Sequence, residues 1–148
     1  IKEQFDLDMD NIPGSGAAGG LGTALMVFLN GTLKSGIETV LDLVDFDEHL
    51  KDVDIVVTGE GATDWQSVFG KVMQGVGVHC KKHHIPAVAI VGSMGSGAED
   101  IFNYGIESII TTVNNIMPLS DALNHAEELY LGAARRMFRL LKAGMQMR

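Results

Sequence analysis

Pro86-Ala87-Val88-Ala89-Ile90-Val91-Gly92 is the stretch that decides the fold. Its five apolar residues carry no polar face, a proline opens them and a glycine stops them, which predicts a strand buried on both sides. Upstream, Ile55-Val56-Val57-Thr58 ends at Gly59 in the same way, and downstream Ile109-Ile110-Thr111-Thr112-Val113 predicts a third strand. Residues 67–84 have helical spacing, and residues 98–104 predict a short helix. Ser120 is expected to cap a last long helix, with Leu123, Ala126, Leu129, Ala133, Met137 and Leu140 on its apolar face. Strand alternating with helix means parallel strands joined by right-handed crossovers, so the expected fold class is α/β, a parallel sheet with helices on both faces. Ligands of such sheets bind outside the carboxyl ends of the strands, which directs attention to residues 58–66, 92–97 and 113–118.

Working outward to the amino terminus, Phe5, Leu7 and Met9 alternate with Asp6, Asp8 and Asp10, the pattern of a short half-exposed strand. A glycine-rich loop follows and runs into residues 24–29, whose unbroken apolar character predicts a buried helix. Ile37, Val40, Leu41 and Val44 then mark one face of a helix within residues 35–44.

The chain has 148 residues, 46% of them hydrophobic, which suits one compact α/β region over residues 1–148 and excludes disorder. Eleven Lys plus Arg against 19 Asp plus Glu give a formal charge of −8, and every arginine lies among Arg135, Arg136, Arg139 and Arg148. A nucleic-acid binder needs a basic stripe, so that class is excluded. The longest apolar run falls far short of the roughly 20 residues that span a bilayer. A single cysteine, Cys80, provides no internal disulfide and fits a reducing, cytoplasmic compartment. Glycine is the outlier at 18 residues, without the triplet repeat of a fibre.

Five motifs carry possible chemistry. Gly14-Ser15-Gly16-Ala17-Ala18-Gly19 is a literal G-x-G-x-x-G, a spacing that can bring backbone amides onto a phosphate. Its dinucleotide reading needs a strand before it and another within residues 35–44, where the sequence predicts a helix, so a phosphate-cradling or packing loop is preferred. Thr58-Gly59-Glu60-Gly61-Ala62-Thr63-Asp64 ends the first buried strand, and its two carboxylates can bind magnesium or take a proton from a substrate hydroxyl. The alternative to that chemistry is a solvated turn in which Asp64 caps the next helix. Gly70-Lys71 fails as a P-loop because Trp65 and Val72 stand where glycine and a hydroxyl residue are required. Lys71 is nonetheless the only lysine or arginine between Lys51 and Lys81 and could meet an anion. His79 and His83 have metal-ligand spacing, yet they fall in a helix's last turn without a third ligand, so a structural role is preferred over zinc. The glycines flanking Ser93 and Ser96 suggest a second anion loop, and Met94 excludes a nucleophile elbow.

Taken together, Pro13-Gly14-Ser15-Gly16-Ala17-Ala18-Gly19-Gly20-Leu21-Gly22, Val57-Thr58-Gly59-Glu60-Gly61, Asp64, Gln66-Ser67, Gly70-Lys71 and Gly75-Val76 resemble the type I glycerate kinase family in order and spacing. The resemblance runs from about Ile12 into the last helix. It implies a Rossmann-like portion of a larger two-domain kinase, with ATP and magnesium as cofactors and D-glycerate as substrate, giving 2-phosphoglycerate. On that basis Gly14, Ser15, Gly16, Ala17, Gly19 and Gly20 bind an anion, assisted by the strand-end residues Thr58, Gly59 and Gly61. Glu60 or Asp64 holds magnesium or accepts the glycerate proton, with Asp64 the preferred base. Lys71, preceded by Gly70, meets a phosphate or the glycerate carboxylate, while Thr58 and Ser67 supply hydroxyls. The family loop carries Arg and an aliphatic residue where this chain has Ala62 and Thr63, and tends to proline where Met73 stands. The family's amino-terminal signatures are not found in these residues, so the chain resembles a carboxyl-terminal part, expected to be inactive alone. Two rivals are an NAD-binding oxidoreductase domain and a non-catalytic glycerate-binding or assembly domain.

Overall fold

A computed structural model describes residues 1–147. The chain divides into two units, Ile1–Ser35 and a second beginning at Gly36. The first contains helix α1 (Lys2–Phe5) and helix α2 (Ala17–Leu29) and no strand. The expected strand over residues 5–9 is absent because nothing in this unit offers a ladder to pair with. Instead Asp6 closes α1 in the left-handed region at φ 53°, and Phe5 stacks edge-on against Phe28 with ring centroids 5.4 Å apart. Helix α2 also departs from expectation: Gly22 is its one buried residue, while Leu25, Phe28 and Leu29 are exposed.

Every strand lies in the second unit. Helices α3 (Gly36–Leu43) and α4 (Phe46–His49) precede strand β1 (Val56–Thr58). The short strand β2 (Ala62–Thr63) and a 3₁₀ turn (Trp65–Val68) lead to helix α5 (Val72–Lys82). Strands β3 (Ala87–Val91) and β4 (Ser93–Met94), a 3₁₀ segment (Ala98–Tyr104) and strand β5 (Ile106–Thr111) follow, and helices α6 (Leu119–Asn124) and α7 (Ala126–Gly144) complete the unit. The main sheet is parallel in the order β1-β3-β5. Strands β2 and β4 form a separate parallel pair that extends it past the carboxyl ends, with Ala62 opposite Ser93 and Thr63 opposite Met94.

Strand β3 is buried along its whole length, as its sequence predicts. Ala87, Ala89 and Val91 face a core with Leu41, Met73, Val76, Cys80 and Ile101 from the α3, α5 and 3₁₀ side. Val88 and Ile90 face Ala133 and Met137 of α7. Alternation along one strand therefore fills both layers, and helices cover both faces. Burial pushes the Cys80 thiol up to about 11, so it behaves as a small core hydrophobe.

Four boundaries shift, each for a local reason. The helix expected over residues 67–84 is split by Gly70 at φ +74°, a conformation that a helix cannot contain. Strand β5 starts three residues earlier than expected, because pairing with β3 sets its extent from Ile106 opposite Ala87. Ser120 does not cap the last helix: the helical stretch begins after Pro118 and is interrupted at His125. The core seam of α7 is Leu129, Ala133 and Met137 with Leu141 packed against it, a four-residue step, and it leaves Leu123, Ala126 and Leu140 exposed.

Candidate functional site

A cleft of about 710 Å³ opens at the carboxyl ends of the main strands, within the second unit. Thr58, Gly59, Glu60 and Gly61 form one side of it as β1 leaves the sheet. Ile90, Gly92 and Ser93 at the end of β3 form the floor, together with Thr112 and Val113 after β5. The opposite wall is a stripe from α6 and α7: Leu119, Ala122, Leu123, Ala126 and Tyr130. Glu60 is the only charged residue lining the cleft, and among the described residues its carboxylate has no hydrogen-bond or ion-pair partner.

Two of the cleft's glycines are required by the chain's own packing. A Cβ on Gly59 would collide with the Ile90 carbonyl oxygen, and one on Gly92 with the Gly61 carbonyl oxygen. The two strand ends can thus lie backbone to backbone, and the Gly92 amide donates to the Glu60 carbonyl at 3.1 Å. Gly61 itself has open space where a side chain would stand. The second anion loop expected over residues 92–97 is engaged elsewhere: the Gly95 amide donates to the Thr63 carbonyl at 2.7 Å, and the Ser96 carbonyl accepts from the Trp65 amide at 3.0 Å.

Asp64 and Ser67 belong to a closed turn beyond the cleft. Asp64 Oδ1 accepts the Gln66 amide at 2.8 Å, Ser67 Oγ accepts the Asp64 amide at 3.2 Å, and Thr63 Oγ1 donates to Ser67 Oγ at 3.0 Å. Ser67 and Thr63 are fully buried. The threonine at a position where the resemblance leads one to expect an aliphatic residue is therefore satisfied by a hydroxyl pair inside the protein. Asp64 is the half-buried member and keeps acceptor capacity beyond the capping bond. Lys71, exposed, stands at the N-cap of α5, a helix end whose partial positive charge disfavours a lysine and favours an anion. The Gly70 amide donates to Gln74 Oε1 at 2.6 Å, which fixes the turn into that helix.

In the first unit, Ser15, Gly16 and Gly20 line a cleft of about 520 Å³ with Thr23, Asp8 and Asp10. Gly14, Ala18, Gly19 and Gly20 all have positive φ, so the loop enters α2 through a left-handed run at residues 18–20. The Ala17 amide is committed to the Gly14 carbonyl, and the Ser15 carbonyl accepts both the amide and the hydroxyl of Thr23. The dinucleotide rival fails here, because no strand precedes this loop and α3 occupies the place where its second strand is required.

The histidines form a structural cluster. His79 lies between Asp47, bonded to Nδ1, and Glu38, 3.1 Å from Nε2, and Lys82 reaches Asp47 at 2.9 Å. Partial burial opposes the imidazolium, but the bonds to Asp47 and Glu38 win and raise the pKa of His79. Hydrogen bonds from His79, Lys82 and His83 hold Asp47 well below the usual carboxylate range. No group of three or more His, Cys, Asp or Glu side chains that could hold a metal ion occurs among the described residues. None of their helices is long and apolar enough to cross a membrane.

Sequence reasoning missed the α6–α7 wall. Its signal was the spacing 119, 123, 126, 130, a second apolar stripe offset from the core seam of α7.

Comparison with known proteins supplies a family. A family model described as the glycerate kinase family matches residues 1–142. A glycerate kinase of Halalkalibacterium halodurans is 42% identical over 93% of this chain and 36% of its own. A glycerate 2-kinase of Escherichia coli K12 is 39% identical over 99% of this chain and 38% of its own. A crystal structure from Salmonella typhimurium LT2, provisionally named glycerate kinase 2, superposes with a TM-score of 0.70 at 36% identity, covering 99% of this chain and 37% of that one. The chain thus spans little more than a third of the length of these relatives.

Proposed function

Because the chain belongs to the glycerate kinase family, we propose that the protein transfers the terminal phosphoryl group of ATP to a hydroxyl of D-glycerate, giving 2-phosphoglycerate. The observation that carries this reading is the segment leaving β1. It presents a free carboxylate at Glu60, a turn-held carboxylate at Asp64 and a lysine at the start of α5 within a dozen residues.

Phosphoryl transfer asks a protein for positioning and charge neutralisation more than for covalent chemistry. Asp64 takes the proton from the attacking glycerate hydroxyl, its carboxylate kept in one orientation by the Gln66 amide. Lys71 and the first-turn amides of α5, which have no partner inside the helix, neutralise an anionic group of substrate or nucleotide. In the first unit, the loop of Gly14, Ser15, Gly16, Ala17, Gly19 and Gly20 is a separate candidate for anion binding, in which the Ser15, Ala17 and Gly20 amides are already given to backbone carbonyls. Thr58, Gly59 and Gly61 let the nucleotide approach the strand-end backbone closely. Magnesium accepts one or two carboxylates together with substrate oxygens and water, and Glu60 and Asp64 are the carboxylates that would hold it. When bound, it neutralises charge on the phosphates. Ser67, buried inside the turn, acts on the site by holding Asp64.

The test is ADP formation by the full-length protein with ATP and D-glycerate, with the product identified by phosphorus NMR. ADP formation that depends on D-glycerate and yields 2-phosphoglycerate is expected; none with D-glycerate at millimolar concentration contradicts the reading.

A further inference from the structure

The strand-end cleft has two chemically distinct ends. At one end are Thr58, Glu60, Gly61 and Ser93, which offer hydroxyls, backbone and a carboxylate. At the other, Leu119, Leu123, Ala126 and Tyr130 present a wall without a charge. These four recur at steps of four, three and four residues and line the same wall on either side of the break at His125. Leu119 is 74% exposed, Leu123 66% and Tyr130 50%, an apolar surface in a concavity of ligand size. No lysine, arginine or histidine lines the cleft, so it offers no counter-charge to a small carboxylate or a bare phosphate.

We propose that the α6–α7 wall, Leu119, Leu123, Ala126 and Tyr130, binds the purine base of the nucleotide, with the ribose and phosphates directed toward the Glu60 end. This rests on the reading that the protein uses ATP and D-glycerate. Of those two substrates only the nucleotide has a flat, uncharged part that matches an uncharged wall. Glycerate, small and polar throughout, gains nothing from leucine side chains. The Tyr130 ring supplies a stacking surface, and its hydroxyl, with that of Thr112, supplies hydrogen-bonding capacity at the base's edge. Glu60 disfavours bare phosphate near it and favours a magnesium-bound one, which sets the direction in which the nucleotide lies.

The experiment uses the full-length protein and two probes, adenosine and D-glycerate, each titrated alone. Tyr130→Ala removes the stacking face and Ala126→Trp fills the cleft from an exposed helix position. Each is expected to weaken adenosine binding about tenfold or more while D-glycerate binding changes less than twofold. Undetectable adenosine binding at millimolar concentration, or adenosine binding that both variants leave unchanged, overturns the proposal. Loss of D-glycerate binding with adenosine binding retained also overturns it, since the wall would then serve the acid. Should the variants misfold, photolabelling of the unaltered protein with 2-azidoadenosine decides: label within residues 119–130 supports the proposal, and label confined elsewhere overturns it. The two readings fail separately. A protein that binds adenosine through this wall without phosphorylating D-glycerate defeats the kinase reading alone, and a D-glycerate kinase labelled elsewhere defeats this one alone.

Discussion

Residues 58–61 and 63–67 are neighbours in sequence and each carries a threonine and a carboxylate, yet one lines a cleft and the other closes upon itself. In the first, Glu60 faces the cleft unpartnered and Gly61 has open space beside it. In the second, Thr63, Asp64 and Ser67 bond to one another and to the turn they build. A polar residue after a sheet strand is therefore no sign of function by itself. What separates the two segments is whether their polar groups are already satisfied within the protein.

The sharpest way to break this comparison is a pair of glycine substitutions. Gly59→Ala places a methyl group against the Ile90 carbonyl oxygen and is expected to destabilise the protein by about 3 kcal/mol. Gly61→Ala meets nothing within 4 Å and is expected to change stability by less than about 0.5 kcal/mol. Denaturant titration of both variants measures the gap; equal losses would mean that the two strand ends do not approach as described.

Next in size is Ser67→Ala, which leaves the buried Thr63 hydroxyl without its acceptor and is expected to cost about 1.5 kcal/mol. Glu60→Gln, by contrast, breaks no bond within the protein and leaves stability within about 0.5 kcal/mol. A melt in which Glu60→Gln is the more damaging of the two would reverse the assignment of cleft and turn.

Strand β3 was legible because a buried parallel strand leaves an uninterrupted apolar signature, as in Ala87 to Val91. The α3 helix was legible from the period of Ile37, Val40, Leu41 and Val44. Details set by pairing or by a single dihedral angle were not. Nothing in residues 106–108 announces a strand until β3 lies beside them, and the break at Gly70 turns on one positive φ. The β2–β4 pair is two residues long on each side and lies below any periodic signal. Residues 24–29 read as core because hydropathy reports apolarity, whereas burial depends on what packs there. Glu60 and Asp64 were singled out from their strand-end position, but their different surroundings were not legible. The α6–α7 wall was mistaken for core because a ligand-facing apolar stripe and a buried one have the same period.

The smallest effect expected is that of pH on the histidine cluster, which contrasts with the cleft in that Asp47 is bonded to His79 and Lys82. Asp47 is held below its ordinary value of 3.8, so its contribution is present above that pH and is lost as the pH falls toward its lower folded value. His79 is raised above its ordinary 6.5, so its contribution is complete below that pH and is lost as the pH rises through the raised value. The destabilisation caused by His79→Gln should therefore be largest below pH 6.5 and shrink as the pH rises through the raised value. Thermal melts from pH 4 to 9 read this directly, and a difference that stays constant with pH would contradict the ion-paired assignment.

The most direct test of the catalytic assignment is turnover of ATP with D-glycerate by full-length protein carrying Asp64→Asn. Asparagine can still accept the Gln66 amide through its side-chain oxygen, so the turn and the melting temperature should be retained. With the proton acceptor gone, kcat is expected to fall by about a hundredfold or more. Turnover within about threefold of the unaltered protein, with folding intact, would remove Asp64 from the chemistry and leave it as the cap of its turn.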